Sequence, residues 1–132
     1  MSHILVVSQD QHGLTQTLGV LRRAGYYACG ATTFEDATEL LMRKLPDLVM
    51  ADECLGEYNG LHVILRARHR DPAIAGIVTS PSVSRGLEAD ARNLNVGCVA
   101  VPQDPPALLM SICKALPHAD LRASTLHAKR AS

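Results

Sequence analysis

Apolar residues along this chain fall into two alternating patterns: short unbroken runs, and longer stretches with three-to-four-residue spacing. His3–Val7 is a run rich in branched side chains, as a buried strand requires. Leu14, Leu18 and Leu21 then share one helix face, and Gly25 ends that helix. Tyr26–Gly30 predicts a second strand. Thr32 and Glu35 predict a capping box for a helix whose apolar face is Phe34, Ala37, Leu41 and Leu45, closed by Pro46. Leu48–Asp52 predicts a third strand. A third helix follows, with Leu61, Ile64 and Leu65 inward, Arg66, Arg68, His69 and Arg70 outward, and Asp71 and Pro72 at its end. Ile74–Ser80 predicts a fourth strand, weakened by Gly76. Pro81 opens a helix carrying Val83, Leu87 and Leu94, and Val96–Val101 predicts a fifth strand. Asp104 caps a last helix with Pro105 at its first position; Leu108, Leu109, Ile112, Cys113 and Leu116 form its apolar face, and Pro117 ends or kinks it.

Strands that are apolar throughout belong in a parallel sheet covered on both faces. Five of them alternating with five helices predict an α/β fold: a flavodoxin-like, doubly wound (βα)5 sandwich with parallel strand order 2-1-3-4-5. The expected domain spans residues 1–117. The small, Ala-rich and mildly basic stretch 118–132 is either a helical extension or a linker tail.

Composition narrows the function. The 132 residues suit one domain, and 47% hydrophobic content supplies a sizeable core. Thirteen basic and thirteen acidic side chains cancel, which argues against a nucleic-acid or acidic-membrane binder. A single Phe and no Trp leave no stacking platform for single strands. Cys29, Cys54, Cys98 and Cys113 lack CxxC spacing and paired histidines, so they read as reduced, mostly buried thiols rather than zinc ligands. The leading apolar run is too short for a signal peptide or membrane span. A soluble, cytoplasmic protein is expected. The Arg66–Arg70 cluster reads as a solvated helix face, and His62 and His69, two turns apart, have no third ligand.

The stretch PDLVMADECLGEYNG, residues 46–60, carries the chemistry. Its apolar strand stops on Asp52, and ligands of open α/β sheets bind at the carboxyl ends of the strands. Asp52 is followed by Leu55, Gly56, Asn59 and Gly60; the stretch resembles the phosphoacceptor strand and loop of response-regulator receiver domains, lacking only the Pro that usually follows the Leu. The resemblance covers residues 3–116. Thr79 ends the fourth strand where that family keeps Thr or Ser, and VPQDPPALL, residues 101–109, looks like its Lys-Pro-Phe-Asp-Pro segment.

The resemblance implies phosphoryl transfer from a histidine kinase to an aspartate, assisted by Mg²⁺. It makes Asp52 the candidate phosphoacceptor (4-aspartylphosphate) and Thr79 the candidate phosphoryl contact. Other positions depart from the family. Its acidic pair falls on neutral Ser8 and Gln9, its ammonium position on Val101, and its aromatic switch position on Cys98. Asp10 comes one residue late; it either shifts into the site or starts the turn and caps the first helix. The remaining metal candidates are Asp52 and the Cys54 backbone carbonyl, with Glu53 read as solvated, so Mg²⁺ binding is expected to be weak or absent and no cofactor required. Ser8 and Gln9 are also candidates to cap the first helix and hydrogen-bond Asp52 in place of a metal. Cys54 and Pro81 occupy the positions that tune hydrolysis of the aspartyl phosphate in the family, and neither positions a water.

The expected function is thus an atypical, or pseudo-, receiver of a two-component system. It is not an enzyme and acts through protein–protein contact. The alternative is a working phosphoacceptor, phosphorylated on Asp52 by a histidine kinase. The implied partners are a sensor histidine kinase or another signalling protein, and a second copy bound through the last helix and strand; neither nucleic acid nor membrane is expected. A flavodoxin-like cofactor binder ranks last, because SQDQHG after the first strand is not a Ser/Thr-rich phosphate loop.

Overall fold

A computed structural model describes residues 2–116. In chain order the elements are β1 (His3–Val7), α1 (Gln11–Arg23), β2 (Tyr27–Ala31), α2 (Phe34–Arg43) and β3 (Leu48–Asp52). A two-strand hairpin follows, β4 (Cys54–Leu55) and β5 (Tyr58–Asn59), then α3 (Gly60–Arg70), β6 (Ala75–Ser80), α4 (Arg85–Asn93), β7 (Gly97–Ala100) and α5 (Pro105–Ala115). The main sheet runs β2-β1-β3-β6-β7 and is parallel throughout. With the hairpin set aside, this is the expected 2-1-3-4-5 order. The hairpin itself is an addition that no periodicity signalled.

Alternation along each strand sends neighbours to opposite faces. Leu5, Val7, Val49, Ala51 and Val78 pack with α2, α3 and α4, through Leu41, Ile64 and Leu87. Ile4, Val6, Met50 and Ile77 pack with α1 and α5, through Leu14, Leu21 and Ile112. Both faces are covered, which is why every residue of β1 is buried and why the strands read as unbroken apolar runs. The chain leaves β1 to pair with β2 on one side and returns to place β3 on the other. The crevice that this reversal creates lies beyond the carboxyl ends of β1 and β3.

Several local expectations shift. The cap of α2 is Thr33 rather than Thr32: its hydroxyl accepts from Asp36 N at 3.1 Å, a single N-cap bond in place of the expected Thr32/Glu35 box. β2 likewise begins at Tyr27, and Leu45 falls beyond the end of α2. Pro81 lies in a bend ahead of the helix, and Ser84 caps α4, accepting from Leu87 N at 3.0 Å. On α3 the inward positions belong to Val63 and Ala67 as well as Leu61 and Ile64, whereas Leu65 is 41% exposed. Arg68 is not a solvated side chain: it donates to the Ile74 carbonyl at 2.8 Å and to those of Leu94 and Asn95, tying α3 to the turn after α4. Arg70 reaches the Leu41 carbonyl at 3.0 Å. His62 completes the α3 cap by accepting from Asn59 N at 3.0 Å. The thiols are not mostly buried either, since Cys54 and Cys113 are exposed and Cys29 and Cys98 half-buried.

Among the described residues no helix is long and apolar enough to cross a membrane. Pro117 and the 118–132 stretch lie outside the described residues.

Candidate functional site

Strand register brings the two principal candidates together. β3 and β6 pair so that Asp52 lies opposite Thr79, and Thr79 Oγ1 donates to Asp52 Oδ1 at 2.8 Å. Thr79 is 4% exposed and Asp52 half-exposed, so the acid faces the crevice while its partner is held in the sheet. The ladder continues one step further. Glu53 N donates to Thr79 O at 2.7 Å, and the buried Ser80 hydroxyl lies 3.0 Å from Glu53 Oε1 and 2.9 Å from Ser82 O. Glu53 is therefore engaged rather than simply solvated. Ser80 was missed by sequence reasoning, although continuing the Asp52–Thr79 register by one residue names it.

Glycine permits the close approach of α3 to this corner. A Cβ on Gly60 would lie 2.2 Å from Asp52 O and 2.8 Å from Ala51 O, inside any permitted contact. Gly60 N instead donates to Glu53 O at 3.0 Å. The hairpin between β3 and α3 turns at Gly56, whose φ of +65° suits glycine.

The residues after β1 do not converge on Asp52. Ser8 Oγ accepts from Asp10 N at 3.2 Å, and Asp10 caps α1, its carboxylate accepting from His12 N at 3.1 Å. Asp10 thus starts the helix rather than shifting into the site. Gln9 crosses to the hairpin. With its amide oriented to match its neighbours, the oxygen accepts from Gly56 N at 2.6 Å and the nitrogen donates to Cys54 O at 3.3 Å. The expectation that Ser8 and Gln9 hydrogen-bond Asp52 is replaced by this contact with the loop beside it.

On the far side, Val101 N donates to Ser80 O at 3.0 Å, its half-buried apolar side chain brings no charge, and the Val101–Pro102 peptide is cis. Cys98 is opposite Val78 in β6. Burial, followed by the nearby charges of Glu88 and Glu53, raises the pKa of its thiol.

The family implies Mg²⁺ at this edge. The donor set present does not fit it. Mg²⁺ takes oxygen ligands, usually including one or two carboxylates. Here one Asp52 oxygen accepts from Thr79, the Cys54 carbonyl accepts from Gln9, Asp10 points to a helix end, and Ser8 and Gln9 are neutral. Among the described residues no three His, Cys, Asp or Glu side chains gather as a ligand set.

No family model matches the chain. Protein Rrf1 of Nitratidesulfovibrio vulgaris is 30% identical over 125 residues, covering 87% of this chain and 83% of that protein. The fold is similar to the CheY-like response regulator receiver domain protein of Methanospirillum hungatei JF-1, with a TM-score of 0.83 and 21% identity over 92% of this chain and 98% of that one. It is also similar to the Vibrio cholerae chemotaxis protein CheY4, with a TM-score of 0.81 and 16% identity over 88% of this chain and 99% of that one. With its parallel 2-1-3-4-5 sheet and Asp52 at the carboxyl edge, the chain belongs to the response-regulator receiver family.

Proposed function

We propose that this receiver works in two-component signal transduction through contact with partner proteins, and that metal-dependent acceptance of phosphate on Asp52 is impaired. The observation that carries this is the neutral ring around Asp52: Ser8, Gln9 and Val101 stand where the chemistry calls for charge. A carboxylate attacking a phosphoryl group brings two anions together, and cations must offset their repulsion. Losing one desolvated charge partner costs about 2–5 kcal/mol, or roughly 30- to 5000-fold in rate. The loss here extends to both sides of the acid. The domain is a signalling module rather than an enzyme and needs no cofactor. Its partners are a sensor histidine kinase or another signalling protein, with α4, β7 and α5 as the docking and self-association face.

One observation favours a second reading, a working phosphoacceptor fed by a histidine kinase. The Asp52–Thr79 pair keeps a nucleophile and a hydroxyl together at the carboxyl edge of the sheet. NMR titration with Mg²⁺ and a beryllofluoride phosphoryl mimic separates the two. The pseudo-receiver gives no shifts around Asp52 and Thr79 at millimolar metal. Saturable shifts at both residues would establish the phosphoacceptor instead.

A further inference from the structure

We propose that Gln9 is a built-in substitute for a cation, a neutral latch that holds the loop beside Asp52 in place without an ion. This rests on the impaired metal binding proposed above and names the residue that makes it workable. Gln9 follows β1 at the point where the sheet order reverses, and its amide spans two backbone groups of the hairpin after Asp52. The amide oxygen meets the Gly56 N–H at 2.6 Å and the amide nitrogen meets the Cys54 carbonyl at 3.3 Å. Only a side chain with both a donor and an acceptor satisfies this pair. The opposite orientation would set N–H against N–H and oxygen against oxygen.

The latch reaches further than one loop. Cys54 pairs with Asn59 across the hairpin, and Asn59 caps α3 by accepting from Leu61 N at 2.8 Å. Gly60, the first residue of α3, rests against the Asp52 carbonyl. Gln9 therefore fixes the hairpin, the start of α3 and the backbone around Asp52 as one unit. It is a positioning residue that acts through Cys54 and Gly56.

The same geometry states what an acid at this position would do. Glu at residue 9 still accepts from Gly56 N–H, but its second oxygen faces the Cys54 carbonyl oxygen at about the present 3.3 Å. Two oxygens at that distance repel unless a proton or a cation lies between them. The identity of residue 9 thus decides between a neutral latch and a demand for a divalent ion.

The test is hydrogen exchange of the Gly56 amide, with backbone chemical shifts, in the full chain and in Q9A and Q9E, each with and without about 10 mM Mg²⁺. In the unsubstituted protein the Gly56 amide is protected and Mg²⁺ changes nothing. In Q9A it exchanges about ten-fold faster while strand amides of β1 and β3 keep their protection. Q9E keeps Gly56 protected and gains Mg²⁺-dependent shifts at Cys54 and Asp52. Unchanged Gly56 exchange in Q9A, or a Q9E protein as indifferent to Mg²⁺ as the parent, would overturn the latch. A parent protein that itself shifts at Cys54 and Asp52 with Mg²⁺ would sink the impaired-metal proposal, and the Q9A exchange rate would still judge the latch.

Discussion

His3 shows how one buried side chain couples this fold to pH. It is 7% exposed at the opposite end of the sheet from Asp52, with its Nε2 3.3 Å from Cys29 Sγ and its ring edge-on to Tyr27. Burial first, and the Lys44 charge second, push its pKa below the ordinary value; Asp47 and the Leu45 carbonyl oppose them more weakly. The sign follows from linkage. A depressed folded pKa means that the unfolded chain binds the proton more readily, so this contribution to stability falls as pH drops below about 6.5 and levels off once the folded state also protonates. Between pH 7 and 5, urea-unfolding free energies are expected to decline by an amount that H3Q removes, at less than the ~1.4 kcal/mol per pH unit of a whole proton. An unchanged pH slope in H3Q would mean that His3 is not the group responsible. Asp52 and Thr79 were legible as individual residues because each sits at or next to the carboxyl end of an apolar strand, and parallel register then pairs them. Gln9 was legible as a neutral residue in an acidic position, but its partners were not. Cys54 and Gly56 lie more than forty residues away, on a hairpin that no hydrophobic period announces.

At the scale of elements, type and order were legible throughout the main sheet, because a sheet covered on both faces leaves continuous apolar runs and each helix leaves a stripe. The misplaced boundaries have local causes. Thr32 and Thr33 are chemically equal candidates for a cap, and only the backbone angle at Thr33 decides between them. Arg68 looked like a solvent residue because three carbonyls, at Ile74, Leu94 and Asn95, become its partners only after α3 and α4 have packed. Gly76, which looked like a weakness in its strand, is a packing requirement. A Cβ there would lie 2.7 Å from Ile64 Cγ2, and Ile64, on the inner face of α3, is fully buried. G76A is expected to cost about 1–3 kcal/mol by overpacking. The I64A change, which costs about 2–5 kcal/mol alone, opens the space that the new methyl fills. In denaturant unfolding the double variant should be more stable than the sum of the single effects by about 1 kcal/mol. Simple additivity would show that β6 yields locally and that the α3–β6 contact is not tight.

Across the whole molecule, the reversal of strand order gathers the ends of β1, β3 and β6 around one crevice, so a ligand held there would stabilise the entire fold. Binding to the folded state alone adds RT ln(1 + [L]/Kd), about 2.7 kcal/mol at a hundredfold excess over Kd. For a domain of this size that is a rise of several degrees in melting temperature, on the order of 4 °C per kcal/mol or somewhat less. A receiver with a submillimolar Mg²⁺ site would therefore melt visibly higher at about 10 mM Mg²⁺ than in chelator. With the Cys54 carbonyl held by Gln9 and Asp10 committed to capping α1, this chain is expected to melt within about 1 °C in the two conditions. Placing acids at both neutral positions, as S8D/Q9D, should invert the result. Without metal the variant is less stable than the parent, because three carboxylates then crowd one edge of the sheet and the Gln9 latch is gone. With Mg²⁺ it should recover by several degrees, a difference that thermal unfolding followed by circular dichroism reads directly. A parent protein that gains as much from Mg²⁺ as the double variant would show that the neutral ring around Asp52 does not limit the site, and the working phosphoacceptor would then be the better account of this domain.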